Sequence, residues 1–237
     1  MLPAVSNPSD VSHGEAAARV AARFSSRPLR GYVAHKLRSD SVFQLAYKLL
    51  RESSRPILDV GCGVGLLALY LRERGLGQAI TGVDIDQRKI ERGRAAVAAG
   101  GYQDVQLLHG NVIADVPSAR GDIVLFDVLH YLPDGEQTAI LAELAQRVTP
   151  GGMLLLRDCT NDGSARFQAT YVAERFAQAV AWNWRTPLNF PTFESISSAF
   201  DEAEFTREIR TAWDRTPFNN RLFIFRREQS PTARLSG

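Results

Sequence analysis

The stretch ILDVGCGVG at residues 57–65 decides the fold. Its first four residues are mostly apolar and predict a short buried strand, and the apolar residues after Gly65 predict the start of a helix. Between them, three glycines at alternate positions permit a tight turn and let a ligand approach the backbone closely. The first turn of the following helix supplies free backbone N–H groups. The stretch therefore predicts a strand, a glycine-rich turn and a helix that together bind a ligand.

The position of the third glycine indicates which kind of nucleotide this turn suits. A dinucleotide-binding turn reads GxGxxG, but the sixth position counted from Gly61 is Leu66, and the third glycine falls at Gly65 instead. Asp59 stands just before the glycines, where it would repel a pyrophosphate and attract an ammonium or sulfonium group. Asp84 ends the next predicted strand, in the place of an acid that holds ribose hydroxyls. The pattern disfavours an NAD(P)-dependent oxidoreductase, which stays as an alternative.

Strands and helices alternate along residues 55–158, because apolar runs alternate with stretches of helical spacing that end at glycines. The predicted strands are 55–60, 79–84, 105–109, 122–127 and 153–157, and the predicted helices are 64–74, 87–99 and 134–148. Two further helices, 164–182 and 192–200, and two closing strands, 206–212 and 221–227, follow. The predicted fold class is α/β: a doubly wound, mixed seven-stranded sheet, mostly parallel with an antiparallel closing strand, and a helical cap.

The same patterns divide the chain into segments. Its ends, 1–13 and 229–237, are expected to be flexible tails. Residues 14–52 are expected to form an N-terminal helical cap, with one helix at the start and a second that begins at Ser39 or Asp40. The remainder, 53–228, is expected to be the ligand-binding domain, with a cap insertion at about 160–200.

Five motifs follow one another along the alternating region. They are ILDVGCGVG at 57–65, ITGVDID at 80–86, HGNV at 109–112, DIVLFDVLHYLP at 122–133 and RVTPGGMLLLRD at 147–158. Their order and spacing resemble those of class I S-adenosylmethionine-dependent methyltransferases of the small-molecule type. The resemblance covers roughly residues 40–158. It implies a Rossmann-like fold, a methyltransferase activity and S-adenosyl-L-methionine (SAM) as the cofactor.

The resemblance also implies which residues hold the cofactor. The glycine turn would line the methionine moiety and its neighbouring ribose, through Gly61, Cys62, Gly63 and Gly65. Asp59 would lie behind the turn, near the ligand ammonium. Asp84 would bind the ribose hydroxyls, and Ile85 would lie against the adenine face.

Three later residues complete the implied cofactor site. Asn111 and Val112 fall where the family holds the adenine edge, although the family commonly has Asp at the position of Asn111. An asparagine amide can donate and accept, so it can still recognise the ring. Asp127 falls where the backbone and side chain approach the methionine amine, with capping of the following turn as the alternative.

The residues after the fourth and fifth strands are the candidates for catalysis. His130 is the histidine best placed to take a proton from a substrate hydroxyl, unless it only caps a turn. Tyr131 would place an aromatic face near the sulfonium. Arg157 and Asp158 end the fifth strand, at the sheet edge where ligands bind. Arg157 is assigned to the substrate, with an internal salt bridge as the alternative.

Two segments outside the motifs are candidates for substrate or partner contacts. Between Arg19 and Arg38 the chain has basic residues and no acid: Arg19, Arg23, Arg27, Arg30, Lys36 and Arg38. A solvated helical face explains them, but Tyr32, His35 or Lys36 reaching the SAM carboxylate is a second reading, and docking of an acidic carrier protein or an anionic membrane surface is a third. Trp182 and Trp184 flank a loop-like stretch and would line an apolar substrate pocket.

Composition excludes several classes. The chain has 237 residues and a net charge of +2, which gives weak support for nucleic-acid binding, and the [DNS]PP[YF] signature of nucleic-acid amino-methyltransferases is absent. Two cysteines cannot form a disulfide framework or a four-thiolate zinc site, and no metal is expected. The sequence has no apolar run of about 18 residues and no signal-peptide pattern, so the expected location is the cytoplasm.

The sequence therefore predicts methyl transfer from SAM to a small, hydrophobic aryl or acyl acceptor. O-methylation is favoured because His130 could serve as its base. N- and C-methylation stay open, and so do a carrier-bound substrate and a protein substrate. A non-catalytic SAM-binding protein is the alternative from another class.

Overall fold

The computed structural model describes residues 11–114, 117–180, 188–212 and 219–229, without the side chains of 176–180. The helices are α1 (His13–Ala22), α2 (Arg27–Ser39), α3 (Val42–Leu50), α4 (Leu66–Glu73), α5 (Gln87–Gly100), α6 (Asp134–Arg147), α7 (Ala165–Val180) and α8 (Phe193–Ser197). The strands are β1 (Ile57–Val60), β2 (Ile80–Asp84), β3 (Val105–His109), β4 (Asp122–Phe126), β5 (Met153–Cys159), β6 (Phe205–Thr211) and β7 (Asn220–Arg227). A 3₁₀ turn covers Leu129–Tyr131.

The strands form one seven-stranded sheet with the order β3-β2-β1-β4-β5-β7-β6. The pairs β1–β2, β2–β3 and β4–β5 are parallel, and β7 runs antiparallel to both of its neighbours. The predicted fold class, a mixed sheet with an antiparallel closing strand, is confirmed. Contacts divide the chain into two compact units, residues 1–111 and 112–237.

The first unit contains three helices before β1, where the sequence predicted two. Pro28 stands in the first turn of α2, where its missing N–H costs no hydrogen bond and its fixed φ favours a helix. The predicted second helix corresponds to α3, which begins at Val42 after Asp40 accepts a hydrogen bond from its backbone N–H. The helix that the sequence missed is polar on much of its surface and buries only Val33 and Leu37 fully. The sequence analysis placed these residues in the helical cap but did not separate them from the first helix.

The core of this unit surrounds β1 and α4. Every residue of β1 is buried, and in α4 every residue except Arg72 is buried. A helix that is apolar on nearly all sides must be covered on nearly all sides. α1 and α3 both contact α4 and provide that cover.

A buried carboxylate joins α1 to the core of the first unit. Glu73 of α4 accepts hydrogen bonds from Arg23 at 3.0 Å and from the hydroxyl of Tyr102, and it lies 3.9 Å from Arg19. Its side chain is 7% exposed, and Lys36 pairs with Asp40 at 2.9 Å. Three of the six basic residues noted in the sequence, Arg19, Arg23 and Lys36, therefore form ion pairs within the unit.

In the second unit, β4 and β5 are buried almost throughout. β5 extends to Cys159, two residues beyond its prediction, because β7 pairs with it along that whole length. Phe200 lies over Phe225 of β7, with ring centres 3.7 Å apart. The hydrophobic core of this unit therefore includes β4, β5 and β7.

Candidate functional site

The glycine-rich turn between β1 and α4 is held against the end of β2. Gly61 and Cys62 donate their backbone N–H groups to the carbonyl of Val83 at 2.8 and 3.0 Å. Gly63 donates to Oδ2 of Asp84 at 2.8 Å. The turn is thus fixed before any ligand arrives, which lowers the entropic cost of binding.

Each glycine of the turn has a positive φ: 75° at Gly61, 58° at Gly63 and 75° at Gly65. A Cβ on Gly65 would lie 2.8 Å from a methyl group of Leu107, so this glycine also makes room for packing. A Cβ on Gly63 would meet nothing within 4 Å. The backbone of Gly63 therefore faces open space that a ligand can enter.

Asp84 ends β2 with each carboxylate oxygen already accepting one hydrogen bond. Oδ2 accepts from Gly63 and Oδ1 accepts from the backbone N–H of Asp86 at 2.8 Å. A carboxylate has about four acceptor positions, so two remain for hydroxyl donors such as those of a ribose. The side chain of the next residue, Ile85, is 65% exposed, which is unusual for an isoleucine and suits a flat apolar ligand.

The structure adds His109 to this region. Asp84 pairs with His109 across the β2–β3 ladder, and Nε2 of His109 lies 3.2 Å from the carbonyl of Ile85. The sequence did not single out His109, because only the strand register brings it beside the two predicted residues.

Asp59 is a buried acid without a basic partner. It is 4% exposed, and no basic side chain of the described residues forms an ion pair with it. Burial, with a further contribution from the charge of Asp84, raises its pKa to about 7. A ligand cation would compensate this charge, so the ammonium of a methionine moiety fits the site.

The remaining predicted cofactor residues, Cys62, Asn111 and Val112, differ in how far their side chains are exposed. The thiol of Cys62 is buried, burial raises its pKa, and a Cβ on Gly82 would lie 2.8 Å from its sulfur. Cys62 would thus contribute its backbone and not its thiol. Asn111 is exposed, whereas Val112 is 8% exposed.

In the second unit, Asp127 and Arg157 form an ion pair. Nε of Arg157 donates to Oδ1 of Asp127 at 2.9 Å, and Nη2 donates to Oδ2. The side chain of Arg157 is 3% exposed and that of Asp127 is 37% exposed. The structure therefore shows the internal salt bridge that the sequence left open. Asp127 also has a φ of 57°, a costly conformation for a residue other than glycine.

His130 and Asp158 form a buried pair at the ends of different elements. Nδ1 of His130 lies 2.7 Å from Oδ1 of Asp158, and the two side chains are 5% and 0% exposed. Burial alone would lower the pKa of His130, but the Asp158 carboxylate outweighs it and raises the pKa to about 9. Among the described residues, the other ring nitrogen, Nε2, has no hydrogen-bond partner. The pair thus presents one unsatisfied nitrogen on an oriented imidazole.

Aromatic rings surround His130. Phe190 stacks on it at 5.4 Å, Tyr131 lies 4.0 Å away, and Phe167 and Tyr171 contact Phe190 at 5.3 and 6.1 Å. An acceptor reaches Nε2 only when one of the covering side chains moves, since His130 is 4% exposed. The predicted pocket residues Trp182 and Trp184 lie outside the described residues.

Polar contacts hold this aromatic cluster together. The hydroxyl of Tyr131 donates to Glu174 of α7 at 3.1 Å, and its pKa is raised by burial and by that carboxylate. Nε2 of Gln137 donates to the carbonyls of Leu129 and Asn189 at 3.0 and 2.7 Å. The sequence did not identify Glu174 or Gln137, since their partners are distant along the chain.

In the described ranges, no group of three or more His, Cys, Asp or Glu side chains could hold a metal ion. Nor is any helix of those ranges long and apolar enough to cross a membrane.

Comparison with known proteins places this geometry in a family. Residues 57–152 match the family model described as "Methyltransferase domain". The demethylmenaquinone methyltransferase of Bacillus velezensis is 25% identical over 73% of this chain and 78% of its own length. The ubiquinone biosynthesis O-methyltransferase of Idiomarina loihiensis is 34% identical over 42% of this chain and 40% of its own length.

Solved structures share the fold. An O-methyltransferase family protein from Burkholderia thailandensis superposes with a TM-score of 0.65 at 19% identity, over 90% of this chain and 64% of that one. The magnesium protoporphyrin IX methyltransferase of Synechocystis PCC 6803, solved with bound SAH, gives 0.61 at 16% identity, over 86% and 88% of the two chains.

The seven-stranded sheet and the glycine turn define a Rossmann-like methyltransferase domain. Residues 57–152 are a methyltransferase domain. Together with the relatives and the shared fold, this match supports a class I SAM-dependent methyltransferase with SAM as its cofactor.

Proposed function

We propose that this methyltransferase transfers the methyl group of SAM to a hydroxyl oxygen of a small aromatic acceptor, with His130 as the base. The proposal is carried by Nε2 of His130, which has no hydrogen-bond partner in the described ranges and lies on a ring oriented by Asp158. The aromatic rings around His130 support an aryl acceptor, and the similarity to an O-methyltransferase supports oxygen as the attacked atom.

The first unit would hold the cofactor. The free acceptor positions of Asp84 would receive ribose hydroxyls, and the exposed side chain of Ile85 would cover the adenine. Asp59 would balance the charge of the ammonium. Once bound, SAM supplies an electrophilic methyl carbon on a positively charged sulfur.

In the second unit, His130 would move the proton. The Asp158 carboxylate can only accept, so the proton of the neutral imidazole lies on Nδ1 and Nε2 is free to accept one from the acceptor hydroxyl. The pKa of His130, about 9, is close to that of a phenol, about 10, so the proton transfer is nearly balanced in energy. At neutral pH most His130 is protonated, and the reaction is therefore expected to speed up as the pH rises towards 9.

The Asp127 carboxylate would present a negative charge to the ligand in a fixed position. Arg157 fixes its carboxylate, whose outer part is exposed to a ligand. The strained backbone at Asp127 supports a functional role, since strain of this kind persists mainly at sites that use it.

The proposed alternatives have less support. Docking of an acidic carrier protein is weakened because Arg19 and Arg23 face Glu73 and Lys36 pairs with Asp40. The oxidoreductase reading has no support from the family match, and a non-catalytic SAM-binding role stays as the second candidate. The cytoplasm stays the predicted location.

The first experiment is calorimetric titration with SAM, S-adenosylhomocysteine and NADH. We expect the first two to bind and NADH not to bind, with binding lost in Asp84→Asn and kept in the exposed control Asp104→Asn. The second experiment is turnover of a panel of phenols and catechols, with analysis of the methylated atom. Methyl ethers whose formation falls at least a hundredfold in His130→Gln support the proposal. Bound SAM without turnover of any acceptor favours the non-catalytic role, and methylation unaffected by His130→Gln refutes the base.

A further inference from the structure

The first unit contains a cleft that the methyl-transfer chemistry does not use. It lies at the amino-terminal ends of β1 and β2, encloses about 480 Å³, and is lined by Tyr47, Arg51, Ser53, Ser54, Arg74 and Gln78 among others. The glycine-rich turn lies at the other end of the same two strands. Since β1 is four residues long, about 13 Å of strand separates the cleft from that turn.

Two guanidinium groups define the charge of the cleft. The Cζ of Arg74 lies 3.9 Å from the centre of the Tyr47 ring, and the Cζ of Arg51 lies 5.5 Å from the same centre. Arg74 also donates to the hydroxyl of Tyr70 at 2.8 Å. Neither arginine pairs with a carboxylate within the described part of the chain, and no acid lines the cleft. The tyrosine thus holds two positive groups side by side without neutralising them.

Four backbone carbonyls around the cleft already accept hydrogen bonds from side chains. The side-chain amide of Gln78 donates to the carbonyls of Leu50 and Ser53 at 3.0 and 2.5 Å. Arg72 donates to the carbonyls of Leu76 and Gln78. The lining also offers donors to a ligand: the guanidinium group of Arg51, the guanidinium group of Arg74 beyond its bond to Tyr70, and the serine hydroxyls.

We propose that this cleft binds a small phosphate-bearing molecule, independently of SAM. Arginine matches the oxygens of a phosphate with two parallel hydrogen bonds, which lysine cannot do. The volume lies in the range of about 300–1,000 Å³ for small-molecule pockets, so it accommodates more than a bare ion. The distance along β1 lets both ligands occupy the unit together.

The test is calorimetric titration of the full chain with inorganic phosphate and with pyrophosphate, at low and constant chloride, with and without saturating SAM. The variants are Arg51→Gln, which alters an exposed side chain, and Arg74→Lys, which keeps the charge and loses the forked geometry. Arg92→Gln on the exposed face of α5 removes the same charge elsewhere in the unit. Circular dichroism checks that each variant is folded.

We expect saturable one-to-one binding that is at least tenfold weaker in Arg51→Gln and in Arg74→Lys, and unchanged by Arg92→Gln or by SAM. Three results would overturn the proposal. The first is that neither anion shows saturable binding. The second is that Arg92→Gln weakens binding as much as the cleft variants, which would show a general charge effect. The third is that SAM displaces the anion, which would place the anion in the cofactor site.

Discussion

Replacing Asp158 by asparagine is expected to reverse how His130 contributes to stability. In the native protein His130 stabilises the fold at low pH, and in the variant it should stabilise the fold at high pH. In the native protein the pKa of His130 is about 9, above the ordinary value of 6.5, because the Asp158 carboxylate favours the imidazolium. The protonated pair therefore stabilises the fold fully below pH 6.5, and this contribution is lost as the pH rises through about 9.

The size of the effect follows from the two pKa values. A shift from 6.5 to about 9 corresponds to at most on the order of 3 kcal/mol of unfolding free energy. In Asp158→Asn the burial of His130, which is the largest single influence on its pKa, remains and the Asp158 charge is gone. The pKa should therefore fall below 6.5, against the smaller opposing charges of Asp127 and Glu174. The neutral imidazole then stabilises the fold above pH 6.5, and that contribution is lost as the pH falls.

Urea unfolding between pH 5.5 and pH 9.5 measures both slopes. The matched control is Asp162→Asn, four residues further along the chain. The pKa of Asp162 is lowered to about 2, so its removal changes stability by the same amount at every pH of this series. Proton NMR of the histidine rings reports the pKa of His130 directly.

Native protein and Asp158→Asn giving the same dependence of unfolding free energy on pH would refute the reasoning. That result would mean that Asp158 does not control the charge of His130, and the proposed base would lose its orienting partner.

Three further predictions concern the first unit. SAM affinity should rise about fivefold from pH 6 to pH 7, because the bound ammonium requires Asp59 to be ionised and the pKa of free Asp59 is about 7. In Asp59→Asn the affinity should not change between these two pH values. Calorimetry at both pH values measures this. Gly65→Ala should lower the unfolding free energy by about 1–2 kcal/mol because Gly65 has a positive φ, with a further loss from contact with Leu107. Gly77→Ala, whose Cβ would meet nothing within 4 Å, should change the unfolding free energy by less than about 0.5 kcal/mol. Equal effects of the two variants in urea unfolding would contradict this. Glu73→Gln should cost about 1–2 kcal/mol in the same assay, since its arginine partner is one-third exposed, and no change would show that solvent screens the pair.

The sequence predicted the parts of the fold that depend on local patterns. β3 has the bounds that were predicted, and β2, β4 and α5 each differ by one residue. These elements are bounded by glycine or by charged residues, so their limits are visible without tertiary contacts. α2 was not separated from α1 within the predicted helical cap, and β5 was predicted too short because its last two residues depend on pairing with β7.

The sequence predicted which residues belong to the candidate site better than it predicted which of them contact each other. Motifs identified Asp84 and His130, but no local pattern indicates that His130 pairs with Asp158 or that Arg157 pairs with Asp127. Each of these contacts joins β5 to residues that follow β4, and sequence spacing carries no information on which side chains of neighbouring strands meet. The interactions that set charge and orientation therefore required the structure.

The position of β7 has a consequence for synthesis of the chain. β7 lies between β5 and β6 and pairs with both, although 60 residues, 160–219, separate it from the end of β5. At a translation rate of about 5–20 residues per second, the edge of β5 waits about 3–12 s before its partner begins to be made. During that time an apolar strand with unpaired backbone groups is available to other chains, since exposed strand edges template aggregation. Overexpression at lower temperature or with a holdase chaperone should therefore raise the soluble yield by protecting this one edge.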